Sequence, residues 1–176
     1  NDVVARLLDF SRPTRGETGP CDVNSLMRRS LDLAAHLIRK MNVAVEENLS
    51  PDTPPVDGDA KRLLQAILNI VLNAVEATGS EGHIRLSTRH DTRSGRVLLA
   101  IQNSGSSISA EDRKRIFHPF FTTKDCGTGL GLAITSQIVH EHGGEIWVDE
   151  PFPNETTFTL ALPLSGFRAA SRRDVP

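Results

Sequence analysis

The sequence predicts one sheet with helices packed on one face. Strand-like segments come mostly in pairs joined by short polar loops, which makes that sheet largely antiparallel. Two longer segments, about 59–77 and 129–142, carry apolar residues at helical spacing. Glycine and proline clusters separate these two periods. At 176 residues the chain has room for a single domain with a normal core.

Taken in order, Val3, Val4, Leu7, Leu8 and Phe10 have helical spacing, and Ser11-Arg12-Pro13 ends the pattern. Residues 14–20 (TRGETGP) read as a linker and residues 21–164 as the folded domain. Asn24 or Ser25 caps a helix reaching about Met41. Residues 43–49 alternate like a strand, and residues 51–57 form a proline-rich turn. The segment from about Asp59 to Ala77 is the most strongly patterned helix. Strands 83–92 and 96–103 follow, joined by a polar loop that ends in Ser94-Gly95. Ser109 caps a short helix to Ile116, and a helix over 129–142 stops at Gly143-Gly144. Strands at 145–150 and 156–162 complete the set, and residues 165–176 read as a polar, basic tail.

Composition excludes several functions. The formal charge is −2 and basic residues are dispersed, so nucleic acid is not an expected partner. Arg28-Arg29 and Arg172-Arg173 read as solvated surface. Cys21 and Cys126 match no metal spacing, and two unpaired thiols suit a reducing, cytoplasmic compartment. No apolar run approaches transmembrane length. Asn1 falls in the middle of a helical pattern, which leaves a membrane anchor upstream open. There is no GxxxxGK[ST], and GxGxG is not the dinucleotide fingerprint.

Two stretches point to chemistry. In residues 116–132 (IFHPFFTTKDCGTGLGL), Phe117, Phe120 and Phe121 precede Thr122, Thr123 and Lys124. Then Gly127, Gly129 and Gly131 alternate into a helix start. Such glycines let backbone N–H groups face an anion, the helix N-terminus adds partial positive charge, and Lys124 adds a cation. Apolar residues in a loop need a covering surface, so the stretch reads as a phosphate-gripping lid that docks elsewhere, or whose rings cap its own core. The second stretch is a polar stripe on the apolar helix 59–77. Gln65, Asn69, Asn73 and Glu76 fall within about 80° of one another. The stripe faces either water or a polar ligand; amide oxygens in a row suit hydrated Mg2+ with phosphate.

QAILNIVLNAVEAT, IQNSGSSI, the phenylalanine lid and GTGLGLAI occur in this order. Together they resemble the catalytic, ATP-binding domain of sensor histidine kinases, within the superfamily shared with gyrase, Hsp90 and MutL. LLDFSRP near the start resembles the end of a dimerisation helix in nitrogen-regulator-type kinases, which makes residues 1–13 a remnant of that helix. The resemblance implies an α/β, two-layer α+β sandwich of the Bergerat type, with a mixed, largely antiparallel sheet. It implies ATP and Mg2+ held between the asparagine helix and the lid. By position, Asn73 binds Mg2+ with Asn69 beside it, and Glu76 continues that row. Lys124, Gly127, Thr128 and the amides of Gly129, Leu130, Gly131 and Leu132 meet the phosphates. Ile108 packs on adenine, Gly105 belongs to the first glycine box, and Thr157 joins the polar contacts to the base. Asn73 and Lys124 are the residues expected to act in catalysis.

The chain departs from the family at Asn103, where an Asp usually accepts a bond from the adenine amino group; the amide carbonyl can still accept it. Ser107 replaces a glycine, and Phe152–Glu155 replace glycines before the last strand. The family phosphorylates a histidine followed by an acidic residue and soon by proline. None of His36, His83, His90, His118, His140 and His142 fits that pattern. The acceptor is therefore expected upstream, on dimerisation helices of a homodimer, with a response-regulator receiver domain taking the phosphoryl group. The alternatives are a degenerate nucleotide-binding module that regulates by contact, and a serine-directed anti-sigma-type relative, which the lid and LLDFSRP disfavour.

Overall fold

A computed structural model describes residues 17–105, 107–124, 127–149 and 154–165. The helix expected over 3–10, and the tail beyond residue 165, lie outside the described residues. The elements are β1 (Gly19–Cys21), α1 (Val23–Lys40), β2 (Ala44–Leu49), β3 (Val56–Gly58), α2 (Ala60–Thr78), β4 (His83–Asp91) and β5 (Arg96–Ser104). They continue with α3 (Ala110–Arg113), α4 (Gly131–Glu141), β6 (Glu145–Val148) and β7 (Glu155–Pro163).

The main sheet has the order β2-β4-β5-β7-β6, with only the β2–β4 pair parallel. Alternation along each strand sends one set of side chains toward the helices. Ile84 and Leu86, then Val97, Leu99 and Ile101, then Phe158, Leu160 and Leu162 are all buried on that face. Leu63, Ile67, Ile70, Val71 and Val75 of α2, Met27 of α1 and Ile138 and Val139 of α4 complete the core. The two-layer sandwich expected from the sequence is present.

Local signals were displaced in two places. The α1 cap is Asp22, whose Oδ1 accepts from Asn24 N at 2.9 Å and Ser25 N at 3.3 Å. Asn24 is instead buried inside the helix, where its Nδ2 donates to Ser50 O at 2.8 Å and its Oδ1 accepts from Thr88 Oγ1 at 2.7 Å. It ties α1 to the sheet. The expected linker and proline-rich turn also contribute a second sheet: β1 pairs antiparallel with β3, Gly19 opposite Gly58 and Cys21 opposite Val56. Leu164 bridges Val56, and Ser165 Oγ donates to Asp57 Oδ1 at 2.6 Å. Burial, then the nearby Asp59 and Asp57, push the Cys21 thiol above its ordinary range, away from the reactive thiolate.

One contact fixes the two helices that frame the site. Asp59 caps α2 through Lys61 N and Arg62 N, at 2.9 and 3.2 Å. Asp59 N itself donates to His142 Nε2 at 3.0 Å, while His142 Nδ1 lies 2.7 Å from Ile138 O. An accepting Nε2 places the proton on Nδ1, so a neutral imidazole joins the end of α4 to the start of α2.

Candidate functional site

The polar stripe of α2 faces protein partners at its far end. Asn69 Nδ2 reaches Gly131 O at 3.3 Å and Thr135 Oγ1 at 3.5 Å, both on α4. Thr135 is buried and its hydroxyl lies 3.0 Å from the same Gly131 carbonyl. Asn73 Oδ1 accepts from Lys124 Nζ at 3.4 Å, and Glu76 pairs with the same ammonium. Thr135 is a site residue the sequence reading missed; its position one turn after Gly131 is the signal that could have found it.

The lid begins with α3, capped by Ser109, whose Oγ accepts from Asp112 N at 3.0 Å as the sequence predicts. Its phenylalanines divide by role. Phe117 meets Phe158 edge-on, with centroids 6.5 Å apart, and anchors the lid in the core. Phe121 packs against the core under Arg115, whose guanidinium carbon is 4.8 Å from the ring centroid. Phe120 is 68% exposed and sits at φ 66°, a backbone region costly for a bulky side chain. Its N–H donates to Gly129 O at 2.9 Å. Gly129 is at φ 65°, and a Cβ there would lie 2.4 Å from the Phe120 carbonyl carbon. Only glycine allows the lid to cross itself at this point.

The same crossing leaves the start of α4 open. Its first residue is Gly131, beside which a Cβ would meet nothing within 4 Å. Leu130 occupies the cap position with no side-chain bond, whereas α1, α2 and α3 are all side-chain capped. Orphan N–H groups of the first turn, with the helix dipole behind them, can receive an anion. The Leu130 side chain is buried and Leu132 packs on the core, so both offer backbone only. Gly127 is exposed and Thr128 half-buried on the approach to this turn.

At the other end of the site, Asn103 is 1% exposed on the helix-facing side of β5. Its Nδ2 donates to Ser104 O at 2.9 Å, and its Oδ1 has no partner among the described residues. A buried carbonyl oxygen without a donor costs free energy, which makes it a candidate for meeting an amino group of a ligand. Gly105, at φ 123°, bonds through its N–H to Asn154 O at 2.9 Å; a Cβ there would lie 2.5 Å from Ala77 O on α2. Ser107 is exposed and outside the left-handed region, so it asks for no glycine. Ile108 is half-buried against the core.

Thr157 is a correction. The antiparallel register sets Thr156 opposite Asn103 and Thr157 opposite Gln102. The pleat therefore turns Thr157 to the other face of the sheet, and buried Thr156 is the threonine beside Asn103.

Comparison with known proteins accords with this geometry. The family model described as histidine kinase-, DNA gyrase B-, and HSP90-like ATPase matches residues 58–166. The chain belongs to that ATPase family. Sensor histidine kinase ZraS of Escherichia coli (strain K12) is 37% identical over 165 residues, covering 94% of this chain and 35% of ZraS. The chain thus spans about a third of the length of the curated relatives it matches. The solved catalytic domain of histidine kinase ThkA is 37% identical with a TM-score of 0.77, covering 84% of this chain and 96% of that one. Full-length ShkA in complex with AMPPNP gives a TM-score of 0.82 at 27% identity, covering 92% of this chain and 35% of ShkA. Within the family, this chain is a catalytic, ATP-binding domain of the sensor histidine kinase type.

Proposed function

We propose that this domain holds Mg-ATP between α2 and the lid and presents its γ-phosphoryl group to a histidine on a dimerisation helix, for relay to a response-regulator receiver domain. The observation that carries this reading is the polar row of α2: Asn69 bonds the Gly131 carbonyl at the uncapped first turn of α4, and Asn73, one turn on, accepts from Lys124 of the lid. Amides of Gly131, Leu132 and Ala133 supply donors for phosphate oxygens, and Lys124 adds a mobile cation. At the base end, Asn103 Oδ1 accepts from the 6-amino group of adenine, with Thr156 beside it.

The donor set fits Mg2+. Asn73 offers a neutral amide oxygen, and Asn69 spends its Nδ2 on α4, which leaves its Oδ1 available. These two oxygens would hold the ion, whose charge offsets that of the phosphates. The role of this domain's residues is to position the donor, and the accepting imidazole comes from another segment. ThkA has been solved in complex with response regulator protein TrrA, at 33% identity to this chain and a TM-score of 0.79. That complex supports a receiver domain as the downstream partner; the immediate partner we propose is the dimerisation helices of a homodimer. No helix among the described residues is long and apolar enough to cross a membrane. ATP as the proposed substrate calls for the cytoplasmic side of any membrane.

Asn103 and Ser107 also motivate a second reading, a module that binds nucleotide weakly and regulates by contact. Calorimetry with Mg-ATP separates the two. Measurable binding, followed by label transfer from γ-labelled ATP to a separately produced dimerisation fragment, supports the kinase. No heat at millimolar nucleotide leaves only the regulatory module.

A further inference from the structure

Glu76 is out of place in a site for a triphosphate. It lies one turn beyond Asn73 on the same stripe of α2, where a carboxylate repels phosphate. The structure gives it an ion pair: its Oε2 is 2.5 Å from Lys124 Nζ, which also reaches Asn73 Oδ1 at 3.4 Å. One ammonium on the lid thus spans two neighbouring side chains of α2. Both partners of the ion pair are close to half exposed, with side-chain accessibilities of 44% for Lys124 and 47% for Glu76.

We infer that Glu76 is a positioning residue: it holds Lys124 over Asn73 as a counter-ion that the lysine gives up for phosphate. The inference rests on the Mg-ATP reading above. A half-exposed ion pair is weak and screened by salt, so a triphosphate can displace it. Lysine suits the exchange because its three donors sit on a flexible stem and turn without a fixed fork geometry. Until phosphate arrives, the pair keeps the lid segment against α2 and keeps the lysine within reach of Asn73. A direct or water-mediated hold on Mg2+ by Glu76 predicts the opposite effect when the carboxylate is neutralised.

The test is calorimetry on Glu76→Gln in wild-type and Lys124→Met backgrounds. ATP is titrated with Mg2+ and with EDTA, at low salt and at about 1 M salt, where the Debye length is about 3 Å. The expected result is about two- to five-fold tighter binding for Glu76→Gln at low salt, the size of an exposed ion pair. The gain should appear with and without Mg2+, fade at high salt and vanish in the Lys124→Met background. Weaker binding confined to the Mg2+ titration would make Glu76 a metal ligand and overturn the inference. A gain that persists without Lys124 reduces Glu76 to simple repulsion and overturns it too, as does an unchanged Kd. In each of these cases the wild-type domain still binds Mg-ATP, so the parent reading stands. If the wild type binds no nucleotide, both fall together.

Discussion

Replacing Asn103 with leucine should make the domain more stable and less able to bind nucleotide. Asn103 is buried, and its Oδ1 has no partner among the described residues. Removing an unsatisfied buried oxygen recovers about 1–3 kcal/mol, while losing the Nδ2 bond to Ser104 O costs about 0.5–1.5 kcal/mol. Leucine has nearly the shape of asparagine, and Ile84 faces the site across the β4–β5 register. The balance is a gain of about 0–2 kcal/mol, or a Tm rise of up to about 6 °C for a domain of this size. Binding moves the other way. Loss of the acceptor for the adenine amino group is worth about 1–2 kcal/mol, an increase in Kd of about 5- to 30-fold. Urea unfolding followed by Trp147 fluorescence gives the first quantity, and calorimetry with Mg-ATP the second. A stability loss of about 2 kcal/mol with unchanged affinity would falsify the reasoning and make Asn103 a structural residue.

Three other outcomes are expected. Gly129→Ala forces a Cβ into the Phe120 backbone at a left-handed position. It should cost at least about 1–2 kcal/mol and weaken ATP binding, read by unfolding and calorimetry. Phe120→Ala removes an exposed ring, so stability should change by no more than about 0.5 kcal/mol. Autophosphorylation of the intact kinase should slow more than ATP binding weakens, and equal losses in both count against a docking role for the ring. Asp22→Ala removes the α1 cap and should cost about 1 kcal/mol at pH 7. The Ser25 hydroxyl, then the Ser25 and Asn24 amides, hold the Asp22 carboxyl below the ordinary range. A lowered folded pKa stabilises above the unfolded value of about 3.9 and is lost as pH falls through the folded value. The deficit of Asp22→Ala should therefore shrink between about pH 5 and pH 2, and a constant deficit contradicts the cap assignment.

The parts of this fold that could be read from sequence were those with length and period. α2 has about five turns of apolar repeat, so both its existence and its polar stripe are legible in the sequence. The lid was visible through its composition, but the division of labour among its phenylalanines was not. No local rule marks Phe120 for a left-handed backbone; the crossing with Gly129 imposes it. β1 and β3 are three-residue strands containing Gly19, Pro20 and Gly58, too short to alternate, and they form only because packing brings segments 35 to 39 residues apart in sequence side by side. The α1 cap was misplaced because Asp22, Asn24 and Ser25 are all good caps; Val23, buried as the first helical residue, decides for Asp22. Thr157 was misassigned because consecutive threonines give no parity of their own. Phe158 supplies it: a core-facing ring sends residue 156 inward and residue 157 outward.

The small β1–β3 ribbon gives the domain a mechanical input. Strand β3 carries β1 on one edge, touches Leu164 and Ser165, and runs directly into Asp59. Asp59 in turn is clamped from the other side by the His142 ring. A tug on β1 is therefore delivered to the base of a stiff rod, and Asn69 and Asn73 ride farther along that rod. A load on Gly19 thus reaches the helix that carries both asparagines through backbone pairing and one imidazole, without passing through the main sheet.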